Sequence, residues 1–284
     1  MKGACRVGIV ITLAVIILIV AVIGGRYIYN NYIRKDHGPI LKEPKEGEGV
    51  KILFLHHSTG RVIWDGGVPE WFEERNPINS SHYLITEQDF PKMSPYGWNN
   101  YPYDYWNIWV NHGSPGDFKR EPTLEMITEK YDVVIFKHCF PVGDILPDTG
   151  DPDVASPEKR IENYKLQYEA LKEKMREFPD KKFIVWTGAA LVENKTNPEK
   201  AQRTRDFFEW VIGTWDEKGD NIFIWDFYDL ETEGGLYLKN EYSRSESDSH
   251  PNDQFAKNTA PLLCSRIVDI VEGYGDTGSI LGMK

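Results

Sequence analysis

The chain has 284 residues, of which 40% are hydrophobic and 27% charged, so it is long and apolar enough to bury a core. Its formal net charge at pH 7 is -11, and a surface that acidic disfavours nucleic acid as a partner. The three cysteines, Cys5, Cys139 and Cys264, lack CxxC or other metal-ligand spacing. Cys139 and Cys264 fit either two buried thiols, the commoner case, or one disulfide in an oxidising compartment.

The first apolar segment runs from Val7 to Gly25 without a charge. Its length of about 19 residues is enough for a helix to span a hydrocarbon core of about 30 Å. A cleaved signal peptide is the alternative, although its apolar region is normally shorter and no clear A-x-A site follows. We therefore predict a single-pass membrane anchor over residues 1–26 and a polar stalk over residues 27–49. Basic residues flank the segment on both sides, so the positive-inside count is nearly tied.

Short apolar runs rich in β-branched and aromatic residues recur from Val50 onward, as is typical of strands buried on both faces. Five strands are predicted, over residues 50–57, 83–86, 132–139, 182–187 and 221–227. Helical spacing of apolar residues predicts long helices over 157–178, 198–215 and 251–274. This alternation indicates an α/β domain with a mainly parallel sheet covered on both sides, placed at residues 50–274 and followed by a flexible tail over residues 275–284.

Ser58 comes directly after the first predicted strand. Functional groups of open parallel sheets collect at the carboxyl ends of strands, where a helix N-terminus stabilises nearby negative charge. Serine is also a common helix cap, so position alone leaves both interpretations open. The surrounding sequence is not a G-x-S-x-G nucleophile elbow, because His56 occupies the first Gly position.

A second polar stretch, from Ser247 to Asn252, precedes the last predicted helix. His250 in this stretch can reach across the sheet and take the proton of the Ser58 hydroxyl, while Asp248 orients the imidazole. An ordinary helix start is the alternative, because Asp, Ser, Pro and Asn are typical of helix N-termini.

These two segments, Phe54–Gly60 and Asp248–Asn252, together resemble the SGNH (GDSL-type) hydrolase family. In that family the nucleophilic serine follows strand one, and its Asp and His lie in a late D-x-x-H-P block. The resemblance covers roughly residues 50–272 in the order of elements, and only the two end blocks are specific. It implies a three-layer α/β/α sandwich, SGNH/flavodoxin-like, with a five-stranded parallel sheet. It also implies ester hydrolysis through an acyl intermediate on Ser58, and it favours a domain outside the cytoplasm.

The two end blocks depart from the family pattern in two ways. His57 replaces the usual Asp before the nucleophile. Asp248 lies two residues before His250 where three is the common spacing, although a D-x-H arrangement is known in the alginate O-acetyltransferase-like branch of the superfamily.

The oxyanion-binding residues depart further, because residues 137–144 lack the Asn that the family carries after strand three. The backbone N–H of Ser58 is the expected first donor. Candidates for the other donors are Gly97 or Gly116, and Lys137 or His138. Loss of one donor from such a site typically lowers the rate by about 10²–10³.

Aromatic residues crowd the loop-like stretch from Phe90 to Trp109, interspersed with Asn and Asp. Aromatic faces beside amides and carboxylates are what a sugar-binding surface uses. A long insertion stabilised by its own aromatic side chains is the alternative. The first interpretation predicts an acylated carbohydrate or similar ester as substrate, contacted by His57, Trp98, Asn100 and Trp106.

Zinc ligation by His56, His57, Asp248 and His250 is an alternative to the triad, because imidazoles and carboxylates are zinc ligands. Adjacent strand histidines point to opposite faces, so no metal and no cofactor is predicted. The leading hypothesis is a membrane-anchored serine ester hydrolase. The alternatives are an O-acyltransferase on the same residues and a non-catalytic glycan-binding protein with a degenerate site.

Overall fold

The computed structural model describes residues 38–78, 82–92, 94–97 and 99–283. The predicted membrane anchor and residues 27–37 of the predicted stalk lie outside these ranges. Within them, no helix has the length and apolarity needed to cross a membrane. The compact unit begins at Leu41, because Leu41 is buried in the core and the N–H of Lys42 donates to Gln88. The folded part therefore includes residues 41–49, which were predicted as stalk.

Five strands form one parallel sheet in the order β2-β1-β3-β4-β5. They are β1 Val50–His56, β2 Tyr83–Asp89, β3 Val133–Lys137, β4 Lys182–Trp186 and β5 Ile222–Trp225. Side chains alternate between two apolar clusters, so that Phe54 of β1 lies in one cluster and Leu55 in the other. Helices flank the sheet, and the predicted α/β fold with a five-stranded parallel sheet is confirmed.

Eight α-helices are present in the described part of the chain. They are α1 Thr59–Asp65, α2 Val68–Arg75, α3 Pro102–Trp106, α4 Leu124–Lys130, α5 Ile161–Arg176, α6 Pro198–Trp210, α7 Phe227–Thr232 and α8 Asp253–Val271. Helices α1, α2 and α8 pack together against one face of the sheet, and α3 to α6 bury their apolar residues in the cluster on the other face. The amphipathic spacing therefore placed the three long helices correctly, with ends two to four residues shorter than predicted or continued by a π-helical turn at Val211–Trp215.

The aromatic-rich stretch is helical from Pro102 onward, where the sequence predicted a loop-like surface. Helix α3 continues as a π-helical turn over Asn107–Asn111. Tyr105 and Trp109 are fully buried. The Trp109 ring packs edge to face on Tyr105 and on Phe136 of β3. These rings fill the space between α3, α5 and the sheet, so apolar burial decides their conformation.

Two further corrections concern the C-terminal region. The segment around His250 is a two-stranded antiparallel hairpin, formed by β6 Ser243–Ser245 and β7 Asp248–Pro251. The predicted flexible tail is docked along the edge of β5, where the Trp225 indole N–H donates to the carbonyl of Leu281 and the N–H of Asp226 to that of Ile280. Residues 280 and 281 thus lie beside the carboxyl end of β5, the outermost strand of the sheet.

Candidate active site

The backbone of Ser58 is held in an unusual conformation between β1 and α1. Its φ is 51° and its ψ is -107°, a region that costs a non-glycine residue about 1–3 kcal/mol. The side chain makes no capping hydrogen bond to α1. Its hydroxyl instead contacts Nε2 of His250, 192 positions further along the chain. The helix-cap interpretation of Ser58 is therefore wrong.

Gly60 lets α1 begin this close to the end of β1. A Cβ built on Gly60 would lie 2.4 Å from Cβ and 2.8 Å from Cγ of His56. The N–H of Gly60 donates to the carbonyl of His57 at 2.9 Å, which closes the turn that carries Ser58. Glycine at this position follows from close helix-to-strand packing.

His250 is oriented by Asp248 from within the same strand. Nδ1 of His250 lies 2.6 Å from Oδ1 of Asp248, and the same oxygen accepts the His250 backbone N–H at 3.0 Å. These hydrogen bonds, the backbone one first, lower the pKa of the Asp248 carboxyl. An ionised Asp248 accepts a hydrogen bond from Nδ1 of His250, which favours the tautomer whose unprotonated Nε2 faces Ser58. The two-residue spacing between Asp248 and His250 is therefore enough to orient the imidazole, because the carboxylate reaches both the ring and the backbone of His250.

Contacts on both sides hold the hairpin in place. The hydroxyl of Ser249 accepts the backbone N–H of Val192 at 3.1 Å, in the segment after β4. Asn252 caps α8 by accepting the N–H of Phe255 at 2.9 Å. The ring of Phe140 packs edge to face on the His250 ring, with centroids 5.1 Å apart. Neither Ser249 nor Phe140 is marked for this role by a local sequence pattern, because their partners are far away in the chain.

The two histidines before Ser58 point away from each other. His56 is fully buried with Nε2 2.8 Å from Oε2 of Glu87, and burial lowers its pKa to about 4. His57 donates from Nε2 to the carbonyl of Pro91 at 2.5 Å, and burial lowers its pKa too. His57 thus joins the end of β1 to the segment after β2, whereas the sequence predicted that it contacts the substrate. Among the described residues no group of three or more His, Cys, Asp or Glu side chains is placed to hold a metal ion.

The predicted oxyanion donors lie in different parts of the structure. His138 is buried on the far face of the sheet, where its Nε2 meets the Tyr168 hydroxyl at 2.8 Å and its ring packs on Tyr105. Its predicted donor role is corrected, because β-strand alternation directs it into the core. Gly116 lies in an exposed loop with its N–H directed at the Ser114 hydroxyl, and Gly97 is exposed with a φ of 81°. A further candidate, the backbone N–H of Ser58, belongs to the same residue as the predicted nucleophile.

Lys137 occupies the position beneath the serine turn. It ends β3 and is fully buried, with Nζ 3.5 Å from the carbonyl oxygen of His57 and 3.6 Å from Sγ of Cys139. Cys139 and Cys264 are both buried free thiols.

Little of the predicted aromatic substrate surface is found. Trp98 lies outside the described residues. Trp106 is only 7% exposed and packs on Tyr103 in the core. Asn100 is fully buried. Its side-chain amide donates to the carbonyl of Phe90 at 2.9 Å, and its backbone carbonyl accepts the N–H of Cys139 at 2.9 Å. Asn100 therefore joins the segments after β2 and β3, and neither Asn100 nor Trp106 is presented to solvent.

A buried acid that sequence reasoning missed, Glu231 of α7, lies under the segment after β4. Its Oε2 accepts the N–H of Ala190 at 2.7 Å, and burial raises its pKa to about 8. No local pattern marks such a residue, because its burial depends on how α7 docks.

No family model matches this chain, and no curated protein matches it. Two solved structures are similar to it. One is a provisionally named acylhydrolase from Bacteroides fragilis, with a TM-score of 0.47 and 9% identity over 86% of this chain and 96% of the other. The second is a gut microbial diltiazem-metabolizing enzyme, with a TM-score of 0.46 and 10% identity over 83% of this chain and 49% of the other. Likeness at this level assigns no activity.

Proposed function

We propose that this protein is a serine ester hydrolase of the SGNH type, in which Ser58, His250 and Asp248 form the catalytic triad. The observation that carries the proposal is the continuous contact from the Ser58 hydroxyl through both ring nitrogens of His250 to the Asp248 carboxylate. Because Ser58 and His250 are 192 positions apart in the chain, their contact has no local structural cause.

The geometry suits acyl transfer. Nε2 of His250 takes the Ser58 proton as Oγ attacks the ester carbonyl, and the carboxylate of Asp248 stabilises the imidazolium. The tetrahedral intermediate collapses when the departing alcohol receives the proton from Nε2. A water molecule, deprotonated by the same nitrogen, then attacks the acyl-enzyme, and Ser58 recovers its proton. The N–H of Ser58 donates to the oxyanion in both halves of the reaction.

A polar groove, formed by residues close in the chain to Phe140 and Val192, supports a polar alcohol portion of the substrate, such as a sugar. Its volume is about 470 Å³, and it is lined by Gly143, Asp144, Leu191, residues 194–197 and Lys200. Gly143 ends the short 3-10 helix that carries Phe140, and Leu191 precedes the Val192 that binds Ser249. The hydrogen-bonding side chains of this groove take over the substrate-binding role first given to the aromatic stretch. The apolar run from Val7 to Gly25 supports membrane anchoring of the domain. The resemblance to the SGNH family favours a catalytic part outside the cytoplasm.

The test is active-site labelling with a fluorophosphonate probe, together with hydrolysis of p-nitrophenyl acetate. We expect the unmodified chain to be labelled at Ser58 and Ser58→Ala to lose both labelling and hydrolysis. Ser247→Ala is the matched control, since Ser247 is exposed on the same hairpin, and it should behave as the unmodified chain does. Equal labelling and turnover by Ser58→Ala would end the proposal, and a folded protein with no labelling at all would favour the non-catalytic alternative.

A further inference from the structure

Lys137 is a buried cation without a carboxylate partner. Its side chain is fully buried, and none of the ion pairs among the described residues includes it. Its Nζ lies near one carbonyl oxygen, one thiol and, at 5.9 Å from the ring centroid, the face of Trp186. Burying a lone ammonium is costly, and none of these neighbours neutralises its charge.

The buried acid whose titration responds to Lys137 is Glu231. Burial raises the pKa of Glu231 to about 8, with the charge of Lys137 opposing that rise. Glu231 is therefore mainly protonated at neutral pH and leaves the charge of Lys137 uncompensated. The same charge contributes to the lowered pKa of His56 and of His57, on either side of the end of β1.

The contact with the His57 carbonyl gives this charge a chemical consequence. The carbonyl of His57 and the N–H of Ser58 belong to one peptide group. At 3.5 Å the contact is long for a hydrogen bond, so its effect is mainly electrostatic. A cation at the carbonyl oxygen polarises the peptide and strengthens its N–H as a donor.

We infer that Lys137 is a positioning residue that strengthens the oxyanion donor of Ser58 through the His57–Ser58 peptide and supplies positive potential beneath the reacting carbonyl. This inference rests on the proposed esterase function. It accounts for a site whose segment after β3 lacks an Asn donor, because Lys137 comes from the end of that strand. In this role Lys137 exchanges no proton with the substrate.

The test compares Lys137→Met with Lys172→Met in the full-length chain. Lys172 of α5 is the matched control, because its side chain is also buried, at 5% exposed, and lies 5.4 Å from the Trp215 ring. It differs from Lys137 in forming an ion pair, with Glu217. Thermal stability, kcat, KM and the rate of fluorophosphonate labelling are measured for each variant. We expect Lys137→Met to lower kcat and the labelling rate together by about 10²–10³, as loss of an oxyanion donor does, with KM changed less than about threefold. Lys172→Met should keep kcat within about twofold.

Methionine retains the length and apolar packing of the lysine stem, so a purely structural Lys137 predicts undiminished kcat in Lys137→Met. That result, with Ser58 still labelled in the unmodified chain, would overturn this inference and leave the esterase proposal standing. If Lys137→Met does not fold, Lys137→Arg decides: a folded variant within tenfold of the original kcat supports a role of the charge, and a folded inactive one contradicts it. If the unmodified chain neither labels nor hydrolyses esters, both proposals fall.

Discussion

At the scale of single residues, the geometry of the site depends on a strained serine next to a glycine that cannot be replaced. The positive φ of Ser58 turns its hydroxyl away from α1 and toward His250. Gly60 is required two residues later, because β1 and α1 approach too closely for a side chain.

Gly60→Ala should therefore damage both stability and activity. The added methyl would lie 2.4 Å from His56 Cβ, so α1 must shift and carry Ser58 with it. We expect a loss of about 1–3 kcal/mol in the free energy of unfolding, as for other overpacked sites, with slower fluorophosphonate labelling. Gly213→Ala is the control, because a Cβ there meets no atom within 4 Å, and it should be neutral or slightly stabilising. Equal behaviour of the two variants would show that the contact with His56 relaxes freely.

At the scale of elements, the base and its carboxylate are carried by a hairpin outside the main sheet. Two strands alone are marginally stable in water, so β6 and β7 depend on tertiary contacts for their position. The hydrogen bond from Val192 to Ser249 joins the hairpin to the segment after β4, one residue before His250.

Ser249→Ala tests this anchor. Removing the hydroxyl leaves the buried N–H of Val192 unpaired, which should cost about 1–3 kcal/mol of stability. A shift of His250 relative to Ser58 should also lower kcat, by up to about 10² for a displacement of about 1 Å. Ser247→Ala, in the exposed turn of the same hairpin, should change neither quantity. Unchanged kcat in a destabilised Ser249→Ala would show that other contacts alone place His250.

At the scale of the whole molecule, buried acids make stability depend on pH. Burial raises the pKa of Glu231 in the native state to about 8, well above the value of an exposed glutamate. The native protein then binds a proton that the unfolded chain releases above about pH 4.5. The contribution of Glu231 to stability is complete below that pH and is lost as pH rises toward 8.

Glu231→Gln should remove this dependence, because glutamine resembles the protonated acid. We expect the variant to gain stability relative to the original chain as pH rises from about 5 to 8, by at most about 1.4 kcal/mol per pH unit. Thermal unfolding measured across this range provides the comparison. Glu246→Gln, on the exposed hairpin turn, should show a constant difference. A pH-independent difference for Glu231→Gln would mean that Glu231 is ionised in the native state.

The sequence by itself determined the α/β class, the five strands and the order in which Ser58, Asp248 and His250 occur. These follow from local apolar periodicity and from residue types at strand and helix ends, which neighbouring residues specify. It underestimated β2, whose polar end from Glu87 to Asp89 has no apolar pattern.

Only the tertiary structure decided which side chains face the site. Strand alternation sends His138 into the core and brings Lys137 beneath Ser58, and long-range contacts bury Asn100 and dock the C-terminal tail. These outcomes depend on contacts between residues far apart in the chain, which no local pattern encodes.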